Sequence, residues 1–135
     1  SVPDQVVSAM AKARADNMRI LLVCGDDGIR AQLSGELSRL ILYEYVKVEL
    51  PTDSPYAQAY KTEGVNGGAF LAILDNRYQH LATKAVAKLS DAAETEASLT
   101  AHQAEYLDVN DVIAKAQALA KKTNRRIFVH LGAPW

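Results

Sequence analysis

Met18-Arg19-Ile20-Leu21-Leu22-Val23-Cys24 runs straight into Gly25-Asp26-Asp27-Gly28, and it is apolar at every position except Arg19. A strand with one wet face alternates polar and apolar residues, whereas a strand covered on both faces reads as a near-continuous apolar run. Residues 18–24 therefore form a strand inside a sheet, and the Gly/Asp cluster is its stop. Helices supply cover on both faces of a sheet, which sets the class as α/β with a central sheet flanked by helices.

Helical patterns stand on either side of this strand. Pro3 and Asp4 open the first helix, Val6, Val7, Met10, Ala11 and Ala13 form its apolar stripe, and Asp16-Asn17 closes it. Beyond the strand, Ile29, Leu33, Leu37, Leu40 and Ile41 recur at helical spacing, predicting one helix with Gly35 in its middle. Residues 45–50 then alternate, with Val46, Val48 and Leu50 on one face and Tyr45, Lys47 and Glu49 on the other, before Pro51. That pattern suits a strand nearer an edge.

Asp53-Ser54-Pro55 places a capping residue before proline, the start of a short helix through Tyr60 that ends at Gly64. Val65-Asn66-Gly67-Gly68 is a loop. Residues 69–74 and 78–83, joined by Asp75-Asn76-Arg77, have the spacing of an antiparallel hairpin. Residues 84–107 predict one helix near 84–93 and a looser segment after it. A last helix is capped by Asp108 or Asn110, with Val112, Ile113, Ala116, Leu119 and Ala120 as its stripe and Lys121 and Lys122 at its C-terminus.

The end of the sequence repeats its beginning. A shift of 107 positions lays residues 3–25 over 110–132 with eight identities in 23 positions, three of them Ala pairs. The other five are Asp4/Asp111, Asn17/Asn124, Arg19/Arg126, Ile20/Ile127 and Gly25/Gly132, at helix start, helix stop, strand start and strand end. A helix-strand unit is used twice. The expected organisation is a domain over residues 1–107 and a unit over 108–135 that either starts a second domain or closes the first. The apolar run from Arg126 needs a pairing partner, so a homodimer through this strand is one expectation.

Composition narrows the function classes. The chain has 135 residues, 49% of them apolar, enough for one domain with a core. A net charge of -1 gives no basic field for nucleic acid. The sequence shows neither the roughly 20-residue apolar run of a membrane helix nor a charged-then-apolar leader, so no membrane partner is expected. One cysteine, Cys24, allows neither an internal disulfide nor a thiolate zinc cluster.

The element order (helix, strand, helix, strand, helix, two hairpin strands, helix) makes the first two strands parallel and the hairpin antiparallel. This order resembles that of thioredoxin-like proteins. Ile127-Phe128-Val129-His130-Leu131-Gly132-Ala133-Pro134-Trp135 is similar to the strand and loop that lead into the family's Cys-x-x-Cys site, whose first cysteine would be residue 136. In the earlier copy, aligning Gly25 with Gly132 puts Ile29 and Gln32 where those cysteines would stand. Residues 64–69 resemble the family's cis-proline loop, with Ala69 in the proline's place and hence a trans peptide. The resemblance implies a redox-inactive thioredoxin-like domain, part of a thiol-disulfide oxidoreductase-like protein, with oxidoreductase activity arising only in a chain that continues past Trp135. No cofactor and no metal are expected.

A second resemblance is to response-regulator receiver domains, in which Asp26 and Asp27 would hold Mg²⁺ and Asp75 would accept a phosphoryl group. The later alternation of strands and helices that a receiver needs is missing. Asp26-Asp27 is more simply a helix cap, Cys24 a small buried hydrophobe, and His80, His102 and His130 are too dispersed for a metal site. Tyr43, Tyr45, Tyr56 and Tyr60 are close enough in sequence to form one aromatic contact surface. The expected site is two loops at one end of the sheet, Gly25, Asp26, Asp27, Gly28 and Ile29 with Gly67, Gly68 and Ala69, binding a polypeptide or a companion thioredoxin-like domain.

Overall fold

The computed structural model describes residues 1–25, 33, 35–62, 65, 68–85 and 92–129. The chain divides into two compact units, Ser1–Ala104 and Glu105–Trp135.

In the first unit, helix α1 (Asp4–Asp16) leads into strand β1 (Arg19–Cys24). Helix α2 (Glu36–Glu44) passes directly into strand β2 (Tyr45–Leu50), and a short helix α3 (Pro55–Gln58) precedes a hairpin of β3 (Phe70–Leu74) and β4 (His80–Ala85). Helix α4 (Ala92–Ala101) ends the unit. The strands lie in the order β2-β1-β3-β4, with β1 parallel to β2, antiparallel to β3, and β3 antiparallel to β4.

The side-chain period of two sends the apolar run of β1 to both faces. Ile20, Leu22 and Cys24 join Val48, Leu50, Phe70, Ala72 and Leu74 beneath α1 and Ala57 of α3. Leu21 and Val23 join Leu71 and Ile73 on the other face beneath Leu33, Leu37 and Ile41 and Leu99 of α4. A fully buried side chain such as Phe70 or Leu22 contributes roughly 1.5–3 kcal/mol relative to exposure. Both central strands are buried along almost their whole length, and the fully buried Ile20 and Leu21 anchor the two layers.

Several elements differ from their sequence expectation. The stripe of α1 is Val6, Ala9, Met10 and Ala13, while Val7 stays 49% exposed. Gly35 does not lie inside a helix: at φ 70, ψ -134 it is the residue before α2, and a backbone there cannot carry a helical hydrogen-bond ladder through it. The second hairpin strand begins at His80 rather than at Tyr78, because residues 75–79 form the turn and Tyr78 takes φ 65. Residues 84 and 85 finish β4, and the helix comes later, at Ala92–Ala101. Alanine-rich composition alone does not say where such a helix starts.

The second unit holds helix α5 (Val109–Thr123), capped by Asp108, whose carboxylate accepts from the Asn110 N–H at 2.7 Å. Residues 125–129 follow without strand pairing among the described residues, and Phe128 is 88% exposed. A paired strand was the expectation for this run. A strand needs a neighbour for its backbone groups, and the described residues of this unit supply none. His130, Leu131, Gly132, Ala133, Pro134 and Trp135 lie outside the described residues.

Candidate functional site

The register of the sheet brings one set of strand ends together. Cys24, the last residue of β1, is the partner of Leu50, the last of β2, and of Phe70, the first of β3. Phe70 in turn pairs with Ala85, the last of β4. Gly25 and Ala69 therefore leave the sheet side by side, and the Gly25 N–H is held by the Leu50 carbonyl at 3.3 Å. Gly68 is exposed, and Ala69 packs against the face beneath α2 and α4. The structure has no cis peptide among the described residues, including the one before Ala69. Asp26, Asp27, Gly28, Ile29, Gln32 and Gly67 lie outside the described residues.

A cleft of about 200 Å³ opens at this same end beside edge strand β4. It is lined by Thr62, Val65, Thr83, Lys84, Glu94 and Ser98, among others. Lys84 reaches the Glu94 carboxylate at 3.0 Å across it. None of these residues carries a sequence signal of its own. They are ordinary strand, loop and helix residues that only the hairpin and the placement of α4 bring together.

The tyrosines do not form one surface. Tyr45 is buried on the face beneath α2 and α4, and its hydroxyl donates to the Leu99 carbonyl of α4. Burial holds its phenol well above the ordinary value, with Arg19 opposing and Glu44 adding to the shift. Tyr56 and Tyr60 sit on the opposite face, where the Tyr60 hydroxyl donates to that of Tyr56 at 3.0 Å. Burial and then this hydrogen bond push the Tyr56 phenol up. The Tyr60 ring lies 5.4 Å from the His80 ring, His80 meets the Thr83 hydroxyl, and that hydroxyl donates to the Tyr60 carbonyl at 2.7 Å. These contacts fasten the α3 segment to β4 and leave no triad geometry.

Cys24 and Asp75 have structural surroundings. Cys24 is fully buried in the core, and burial raises its thiol to about 11, with Lys61 acting in the opposite sense. A thiol so placed stays protonated and is a poor nucleophile. The Asp75 carboxylate accepts from the Arg77 and Gln79 N–H groups at 2.8 and 2.9 Å, pinning the β3–β4 turn. It stands in a hairpin of a mixed sheet, where a receiver's phosphoacceptor would end a parallel strand. Among the described residues no three His, Cys, Asp or Glu side chains converge as a metal site, and no helix is long and apolar enough to cross a membrane.

No protein-family model matches the chain, and no curated protein matches it. Among solved structures, the disulphide isomerase from Xylella fastidiosa Temecula1 is similar at 18% identity with a TM-score of 0.53, covering 67% of this chain and 79% of that one. The fold is thioredoxin-like. At this identity the likeness concerns the thioredoxin-like fold alone. It agrees with the mixed sheet and with helices on both of its faces.

Proposed function

We propose that this chain contains a redox-inactive thioredoxin-like module that binds a polypeptide, or a companion thioredoxin-like domain, within a thiol-disulfide oxidoreductase-like protein. The binding surface is the end of the sheet where Gly25, Asp26, Asp27, Gly28 and Ile29 follow β1 and Gly67, Gly68 and Ala69 precede β3. The observation that carries the redox part is Cys24, the sole cysteine of the sequence, whose side chain is fully buried in the core. Thiol-disulfide exchange within one chain needs a thiolate that can reach a disulfide, followed by a second thiol that resolves the mixed disulfide. This sequence has no second thiol.

The binding part is supported by the Cys24–Phe70 register, which brings Gly25 beside Ala69, and by the neighbouring cleft beside β4. An edge strand offers unpaired backbone groups that an extended polypeptide can pair with, while a cleft at its side holds alternate side chains. A reduced, alkylated unfolded polypeptide serves as the probe. Gly68→Glu, at an exposed position, is expected to weaken its binding at least about tenfold, while Lys12→Glu on α1 leaves it unchanged. Equal binding by Gly68→Glu and the parent chain would place the surface elsewhere.

A further inference from the structure

Helix α5 carries an apolar face that the described residues of its own unit do not cover. Val112, Ile113 and Leu119 are exposed, and residues 125–129 leave a groove of about 270 Å³ lined by Ala116, Leu119, Ala120 and Phe128, among others. A stripe of this kind on a helix is a packing face. The other copy of the same unit packs one side of this face: of these three residues Ile113 corresponds to a buried residue of α1, while Val112 and Leu119 correspond to the exposed Gln5 and Lys12.

The 107-residue offset places Ile113, Ala116 and Ala120 at the positions of Val6, Ala9 and Ala13, three of the residues that bury α1 on its sheet. The fourth, Met10, is matched by Gln117. Ile127 and Val129 take the places of Ile20 and Leu22, which lie beneath α1, and Phe128 takes that of Leu21, which points to the opposite helices. The local geometry repeats as well. Met18 N–H donates to Ala13 O and Arg125 N–H to Ala120 O, both at 2.9 Å, across left-handed Asn17 and Asn124.

We infer that α5 and residues 125–129 are the first helix and first strand of a second sheet of this kind, and that this sheet, encoded after Trp135 in the same reading frame, is what covers them. Ile127 and Val129 then lie beneath α5, and Phe128 is buried by helices on the far face. The inference concerns the second unit and stands whether or not the first unit binds a polypeptide.

The test compares the 135-residue chain with the chain extended along its natural reading frame, by amide hydrogen exchange and sedimentation. In the 135-residue chain α5 is expected to exchange fast in a monomer. In the extended chain its amides and those of residues 126–129 slow by at least about 100-fold, and Phe128→Asp abolishes that protection without changing the melting of the first unit. A reading frame that adds no protection overturns the inference. So does a dimer of the 135-residue chain that Phe128→Asp disperses, which would make a second copy the cover. A fall in the first unit's melting temperature on Phe128→Asp in the 135-residue chain also overturns it, because the cover would then be the first sheet.

Discussion

Asn17 and Asn124 end their helices in the same way: φ 53, ψ 55 in one and φ 54, ψ 48 in the other, each N–H donating to the carbonyl of an alanine, Ala13 or Ala120. Asparagine tolerates this left-handed conformation and a β-branched residue does not. Asn17→Val is expected to cost the first unit about 1–2 kcal/mol, read by chemical denaturation, with Asn17→Gly close to neutral. The same substitutions at Asn124 leave the first unit's transition unchanged.

Tyr45 ties β2 to α4 through its hydroxyl and the Leu99 carbonyl. Tyr45→Phe keeps the ring and leaves a buried carbonyl without its donor, a loss of about 1–2 kcal/mol. Hydrogen exchange should show the opening first in α4, whose other ties include the Arg19 Nε bond to the His102 carbonyl at the end of the helix.

Gly35 has φ 70 and, its own backbone and chain neighbours aside, no atom of the described residues within 4 Å of where a Cβ would stand. Gly35→Ala therefore meets no steric obstacle, and its cost is that of the backbone conformation alone, about 1–3 kcal/mol. A change much smaller than this in the denaturation midpoint would show that the turn before α2 adapts.

The Cys24 thiol carries a pH prediction. Its value in the folded chain is raised from 9.0 to about 11 by burial, so the unfolded chain gives up the proton first. The associated stability is present below pH 9 and is lost as pH rises toward 11, roughly 2–3 kcal/mol across that window. Cys24→Ala should flatten this part of the stability profile. Alkylation of Cys24 should be slow in the native state and limited by unfolding.

Much of the layered architecture was legible because it rests on apolar periodicity. The run 18–24 gave the central strand, the alternation at 45–50 gave the edge strand with its boundaries, and Ser54-Pro55 marked the start of α3. Three things were not legible. Gly35 in an apolar helical pattern reads as a tolerated defect, and only its positive φ shows that it starts the helix. Tyr45 falls on the polar side of its alternation, yet a carbonyl on α4, 54 residues away, satisfies its hydroxyl and permits burial. The cleft beside β4 is made by residues distant in sequence, so no local motif announces it. At the proposed site, the sequence indicated two loops, and the Cys24–Phe70 pairing supplies the contact between strand ends that sets Gly25 beside Ala69.

Backbone amide mapping by NMR, with a reduced and alkylated unfolded polypeptide as titrant, tests the central claim most directly. The predicted result is saturable shifts at Gly25, Gly68 and Ala69, extending to Val65 and Lys84 along the cleft. Shifts confined to α1 or to the Tyr56–Tyr60 side of the sheet, or none at all, would contradict it.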